Sequence, residues 1–165
     1  MKGLLLSVIS PTKQSSWFGD LLFAMPRIIC GLLLALMFGS DKFGMPWTDD
    51  YRNLRLFEVV YWFPEDVAEY GGIFALFPGF FAWMGAFSEA IGGLFLASGL
   101  LTRVSAFLIM CTMLVAIFMQ KWDAGIWNML PAMGFLWVAL FHLVLGSGRF
   151  GVDHLITYFT KSTDE

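Results

Sequence analysis

An all-α, integral-membrane bundle of four antiparallel helices is the fold class this sequence predicts, and three observations carry that reading. Of 165 residues, 58% are hydrophobic and only 14% charged, against about 25% charged in an average soluble chain. The apolar residues gather into four runs, each near the ~20 residues that a helix needs to cross a ~30 Å hydrocarbon core. The connections after the second and third runs are short, which forces antiparallel neighbours. Lipid offers backbone groups no alternative partner, so each run must be helical. The length fits a single domain over residues 1–165. A net charge of −3 and the lack of a basic cluster argue against a nucleic-acid partner.

Met1-Lys2-Gly3-Leu4-Leu5-Leu6 has the look of a signal-peptide start, but the apolar run soon meets Pro11, Thr12 and Lys13 with no small-residue cleavage site. It reads as a retained interfacial segment. The first span covers about 21–39 and is interrupted only by Pro26 and Arg27. Residues 41–71 then hold seven acids and three bases. Within them Leu54, Phe57 and Tyr61 recur at helical spacing, which predicts a short amphipathic helix that Pro64 would end. The second span covers 73–101, with Gly71-Gly72 marking re-entry. Thr102-Arg103 is almost the whole turn before the third span at 104–119, and the fourth covers 126–145. Lys2, Lys13, Arg27, Arg103, Arg149 and Lys161 fall on one side, and Lys42, Arg52, Arg55 and Lys121 on the other. That bias favours cytoplasmic termini and an outer aromatic belt of Trp47, Trp62, Trp122 and Trp127.

Three spans each carry one polar group in line with small residues. Gly85, Glu89, Gly93 and Ala97 step by four, as do Arg27, Gly31, Ala35 and Gly39, and Gly134, Val138, His142 and Gly146. Four-residue steps stay on one helix face, and small residues let helices approach closely. At about 1.5 Å per residue, Arg27 and His142 lie roughly 10 Å and Glu89 roughly 17 Å from the cytoplasmic face. A buried polar cluster of Arg27, Glu89 and His142 is the catalytic expectation, since an ionisable group inside a span is a functional hypothesis by default. Each member has a plainer alternative. Arg27 is an interface anchor if Pro26 is the first helical residue. Glu89 is a neutral or ion-paired packing residue that fixes helix register, and His142 is a hydrogen-bonded core histidine. Cys30 and Cys111 come out at similar depth, so they are either a redox pair or inert packing. The spacing of His142 and His154 makes no metal or haem site. At the cytoplasmic rim, glycine turns would hold Arg149 and Asp153, with Arg103 nearby, as a partner-docking surface.

Three motifs together bring a family into view. They are Arg27-Ile28-Ile29-Cys30-Gly31 followed by Gly39, Lys42 and Phe43-Gly44; Glu89-Ala90-Ile91-Gly92-Gly93-Leu94 followed by Gly99-Leu100-Leu101-Thr102-Arg103; and Gly146-Ser147-Gly148-Arg149-Phe150-Gly151-Val152-Asp153. In order and spacing the chain resembles the DoxX family of bacterial four-helix membrane proteins. It departs from the family pattern in its long aromatic, acidic first loop. It also departs at Trp127-Asn128-Met129, where an acidic residue is often found. The resemblance implies a multi-pass protein of the bacterial cytoplasmic (inner) membrane. Relatives include a small membrane subunit of a thiosulfate:quinone oxidoreductase and members of redox-stress complexes.

The leading functional expectation is therefore a redox-associated membrane subunit with a polar site around Glu89 that binds a quinone headgroup or passes a proton. An apolar, aromatic-rich cavity with a few polar groups suits a quinone. No GxGxxG, haem CxxCH or cluster spacing occurs, so a soluble redox partner would carry the electron-donating cofactor. The rivals are a membrane scaffold or assembly factor, docking through the acidic loop and the Arg149 rim, and a small-solute or ion transporter, for which four spans would have to form a homo-oligomer.

Overall fold

The computed structural model describes residues 16–49 and 52–162, the last two by backbone only; the amino-terminal interfacial segment lies outside the described residues. Four helices are long and apolar enough to cross a membrane: Trp17–Gly39 (α1), Pro78–Ser98 (α4), Thr102–Gln120 (α5) and Ile126–Leu145 (α6). Trp62–Glu69 (α2) and Gly72–Leu76 (α3) lie in the first loop, and Val152–Ser162 (α7) follows α6. The architecture is the expected all-α four-helix bundle. One end, the turn end, gathers the start of α1, the α4–α5 turn and the α6–α7 turn. The other, the loop end, carries α2, α3 and the long first loop.

α1 starts earlier than the apolar run suggests, because the Ser16 hydroxyl caps it by accepting a 3.0 Å hydrogen bond from Gly19 N. Pro26 lies inside this helix, so it is not the first helical residue and Arg27 is not an interface anchor. The expected second span divides at Phe77. Pro78 opens α4 at the first helical position, where its missing N–H costs nothing. The amphipathic helix expected around Leu54 to Tyr61 does not form: Phe57 has φ 64°, outside helical space for an L-residue. The helix instead begins at Trp62, with Pro64 in its first turn, where proline is tolerated.

Residues 42–44 pair with residues 57–60 through an antiparallel Phe43–Val59 bridge. Gly44 N donates to Glu58 O at 2.8 Å and Val60 N to Lys42 O at 2.9 Å. This pairing folds the long loop back onto the end of α1. Phe43, Phe63, Val67, Ala82, Ala86 and Ala90 then bury together against α4.

The stripe Gly31, Ala35 and Gly39 of α1 packs on Ala90, Gly93 and Ala97 of α4. A Cβ placed on Gly31 would lie 2.7 Å from Ala97 N, and one on Gly93 2.9 Å from Ala35 N. Both are closer than packed atoms tolerate, so this is the small-residue interface that lets the helices touch. The stripe on α4 is not one straight face. A turn of π-helix at Ser88–Gly92 inserts an extra residue. As a result Gly85 looks towards Phe63 and Thr112 while Gly93 and Ala97 look at α1. The stripe on α6 is no interface at Gly134, where a Cβ would meet nothing within 4 Å. α6 instead packs on α5 through Ala132, Phe135 and Ala139 against Ala106, Ile109 and Met113.

Candidate functional site

A cavity of about 320 Å³ opens at the loop end between α2, α4 and α5. Its walls are mainly aromatic and aliphatic, with Phe63, Phe74, Phe81 and Phe107 among them, and three polar side chains on one wall, Lys42, Ser88 and Glu89. The π turn places Ser88 and Glu89 there. Such turns bulge the helix and re-aim side chains, and they recur at functional sites. Glu89 is only 4% exposed, and its Oε2 sits 2.6 Å from Lys42 Nζ. The Lys42 ammonium also lies 5.1 Å above the centre of the Phe63 ring, a geometry favourable for a desolvated cation. The buried Ser88 hydroxyl has no hydrogen-bond partner among the described residues. A buried donor left unmet is costly, so it is available to a bound molecule. Tyr70, half-buried, also lines the cavity. Burial first, and then the charges of Asp66, Glu69 and Glu89, push its phenol up to about 12.

The turn end is also polar, and most of its groups are hydrogen-bonded, although the buried Arg27 Nε has no hydrogen-bond partner among the described residues. Arg27 is fully buried and donates from Nη1 to Leu96 O at 2.6 Å and Ala97 O at 2.8 Å, and from Nη2 to Phe150 O at 2.8 Å. Asp153 Oδ1 accepts from Leu101 N at 2.8 Å, and Oδ2 accepts from Thr102 N at 2.9 Å and Thr102 Oγ1 at 2.8 Å. A residue from α7 thus caps α5, meeting first-turn N–H groups that have no intrahelical partner. Gly99 has φ 72°, and a Cβ there would lie 2.6 Å from Gly151 Cα and 2.7 Å from Arg27 Nη1. Only glycine fits. His142 is buried, with Nδ1 3.0 Å from Gly146 O and its ring 4.4 Å from that of Phe23. That contact makes Nδ1 the protonated nitrogen and closes the end of α6.

The expected cluster of Arg27, Glu89 and His142 is therefore not formed. Arg27 meets α4 at Leu96, seven residues beyond Glu89, which is about 10 Å along a helix. Glu89 turns instead to Lys42, which the turn that ends α1 holds three residues after Gly39, with Lys42 N donating to Gly39 O at 3.1 Å. Of the docking trio, Asp153 is 1% exposed and fully engaged, so it presents nothing at the rim. Arg103 Nη2 donates to Val144 O at 3.1 Å. Arg149 Nε lies 2.8 Å from Oδ2 of Asp20, a buried acid that the sequence reading missed. Its signal was present: Asp20, Ala24, Arg27 and Gly31 are the buried residues of α1 and fall at i, i+4, i+7 and i+11. Lys42 and Ser88 were missed as site residues too, although Lys42 stands in the first motif. The thiols are free. Cys111 lines the cavity, whereas Cys30 packs against the α5–α6 core.

No curated protein and no solved structure matches the chain. The family model described as DoxX matches residues 24–122. That stretch runs from α1 through α5 and includes Arg27, Lys42, Ser88, Glu89 and the Gly99–Arg103 turn. With more than half of its length matched and four membrane-spanning helices, the chain belongs to the DoxX family of membrane proteins.

Proposed function

We propose that this chain is the quinone-binding membrane subunit of an oxidoreductase whose redox cofactor resides on a partner protein. One observation carries the reading: the aromatic cavity at the loop end has a buried ion pair and an unmet hydroxyl on a single wall. A quinone headgroup is flat and apolar with two carbonyl oxygens. Phenylalanine faces suit the ring, and Lys42 and Ser88 supply donors for an oxygen. Reduction of a quinone to a quinol takes two electrons, supplied by the partner, and two protons. Lys42 donates one proton to one reduced oxygen, water at the loop end supplies the second to the other and reprotonates the lysine, and Glu89 stabilises the ammonium before transfer and after its reprotonation. Tyr70 also lines the cavity, within the electrostatic reach of Asp66 and Glu69 as well as Glu89. The bias of Lys and Arg supports cytoplasmic termini, an orientation that sets the cavity in the outer half of a bacterial inner membrane.

The test is protein extracted from native membranes in mild detergent. Native mass spectrometry should find a co-purifying quinone in the parent chain and a loss of it in Lys42→Met. Glu89→Gln should retain quinone but lower quinone-dependent electron transfer in vesicles about 10²-fold, the size of a typical general acid–base contribution. A parent chain that carries no quinone and takes up none when it is added sinks the reading.

A further inference from the structure

The ligand's route follows from which walls are closed, given that the cavity is the ligand site proposed above. Towards water it is lidded. Phe63 and Val67 of α2 are 7% and 4% exposed, and the Lys42–Glu89 pair seals the floor between them and α4. Towards lipid it is not. The remaining wall comes from α4 and α5, the two helices joined at the far end by the tight Gly99 turn. On that wall Phe80 is 61% and Phe107 50% exposed, and Cys111 is also exposed. In a membrane-spanning bundle this surface faces acyl chains. The cavity is thus lidded by α2 towards water and open sideways to the bilayer beside Phe80, Phe107 and Cys111, with Thr112 and Gln120 of α5 as further polar side chains in its lining.

We infer that the cavity takes a membrane-resident amphiphile that enters laterally between α4 and α5, seats a carbonyl-bearing head against Ser88 and Lys42, and leaves its chain at the mouth among Phe80, Phe107 and Cys111. Ser88 is the specificity-determining donor, because its hydroxyl has no hydrogen-bond partner among the described residues and a site built around a hydrogen bond discriminates against ligands that cannot complete it. The chain at the mouth adds affinity without polar contacts, since each buried methylene contributes through apolar area alone. A water-soluble molecule with the same head gains nothing from the mouth and must cross the lid.

The experiment uses the full chain in lipid nanodiscs and two probes, a decyl-substituted benzoquinone and the same ring bearing methyl in place of decyl. Binding is measured by equilibrium dialysis, corrected for partition into empty nanodiscs. The decyl probe should bind at least about 100-fold more tightly than the chainless one. Ser88→Ala should weaken the decyl probe about tenfold, with no change in thermal unfolding. Cys111→Trp, at the mouth, should slow association of the decyl probe. Gly85→Leu serves as the control for the cavity itself. A Cβ at Gly85 has only ordinary contacts at 3.6 Å and beyond, so the backbone tolerates it while the longer side chain fills the space. If Gly85→Leu abolishes decyl binding but the chainless ring binds equally well and Ser88→Ala and Cys111→Trp change nothing, lateral entry and the role of Ser88 are overturned and the cavity reading stands. If Gly85→Leu leaves decyl binding intact, or neither probe binds the parent chain, the cavity reading falls and this inference falls with it.

Discussion

Lys42 and Glu89 show what one residue can do when the backbone brings it to an unexpected partner. A carboxylate inside an apolar helix needs a countercharge or a proton. Here the countercharge comes from the loop, 47 residues away in sequence. Ser88, next to it, is buried with no hydrogen-bond partner among the described residues. Tyr70 supplies a test at this scale. Its phenol ionises near 12 in the folded chain, against an ordinary value of 10.0. Between those values the unfolded state releases a proton that the folded state retains, so stability is intact below pH 10 and falls as pH rises towards 12. Ultraviolet difference titration should show one late tyrosine phase near 12 that is missing in Tyr70→Phe. A variant that retains the late phase assigns it to another tyrosine.

Among the elements, α5 has the least conventional start. Its N-cap is Leu101 with φ 45° and no side-chain cap of its own. The cap comes instead from Asp153 of α7, and it ties the last helix to the α4–α5 turn. Thr102 is fully buried, so its first-turn N–H has no water to fall back on. Replacing Asp153 with Ala should cost about 2–3 kcal/mol, the sum expected for a lost cap and an unmet buried donor. Asp153→Asn, which keeps one acceptor, should cost about half of that. Thermal unfolding in detergent reads the loss, and hydrogen exchange at Leu101 and Thr102 localises it. Unchanged exchange at those two amides refutes the cap. The apolar runs announced α5 itself, but not the reason that Gly151-Val152-Asp153 accompanies Gly99-Leu100-Leu101-Thr102-Arg103. That link joins residues 51 and 52 positions apart.

For the whole molecule, close approach of α1 and α4 positions everything else. It brings the end of α1, and hence Lys42, to the level of Glu89. Gly31→Leu should therefore disrupt the bundle, since even a Cβ would meet Gly93 O at 2.5 Å and Ala97 N at 2.7 Å; backbone at that distance can yield only if the helices part. The expected result is loss of a cooperative thermal transition and of monodisperse protein after extraction. Gly134→Leu, on an open face of α6, should leave both unchanged. Equal behaviour of the two variants would show that the α1–α4 contact does not organise the fold.

By itself the sequence determined the class, the four spans and the helix faces that could touch, because apolar length and small-residue spacing are local properties that lipid and helix geometry translate directly. It also marked Arg27, Glu89, Gly99 and Asp153 by motif. Which of these meet was decided only in three dimensions. The π turn at Ser88–Gly92 breaks the four-residue register that a sequence reading assumes. The turn after Gly39 carries Lys42 to Glu89, and the strand-like pairing of residues 42–44 with 57–60 folds the long loop onto it. Partner choice for a buried charge depends on distances of a few ångströms between segments far apart in the chain. For that reason Glu89 found Lys42, Arg27 found backbone carbonyls, and the acid opposite Arg149 proved to be Asp20.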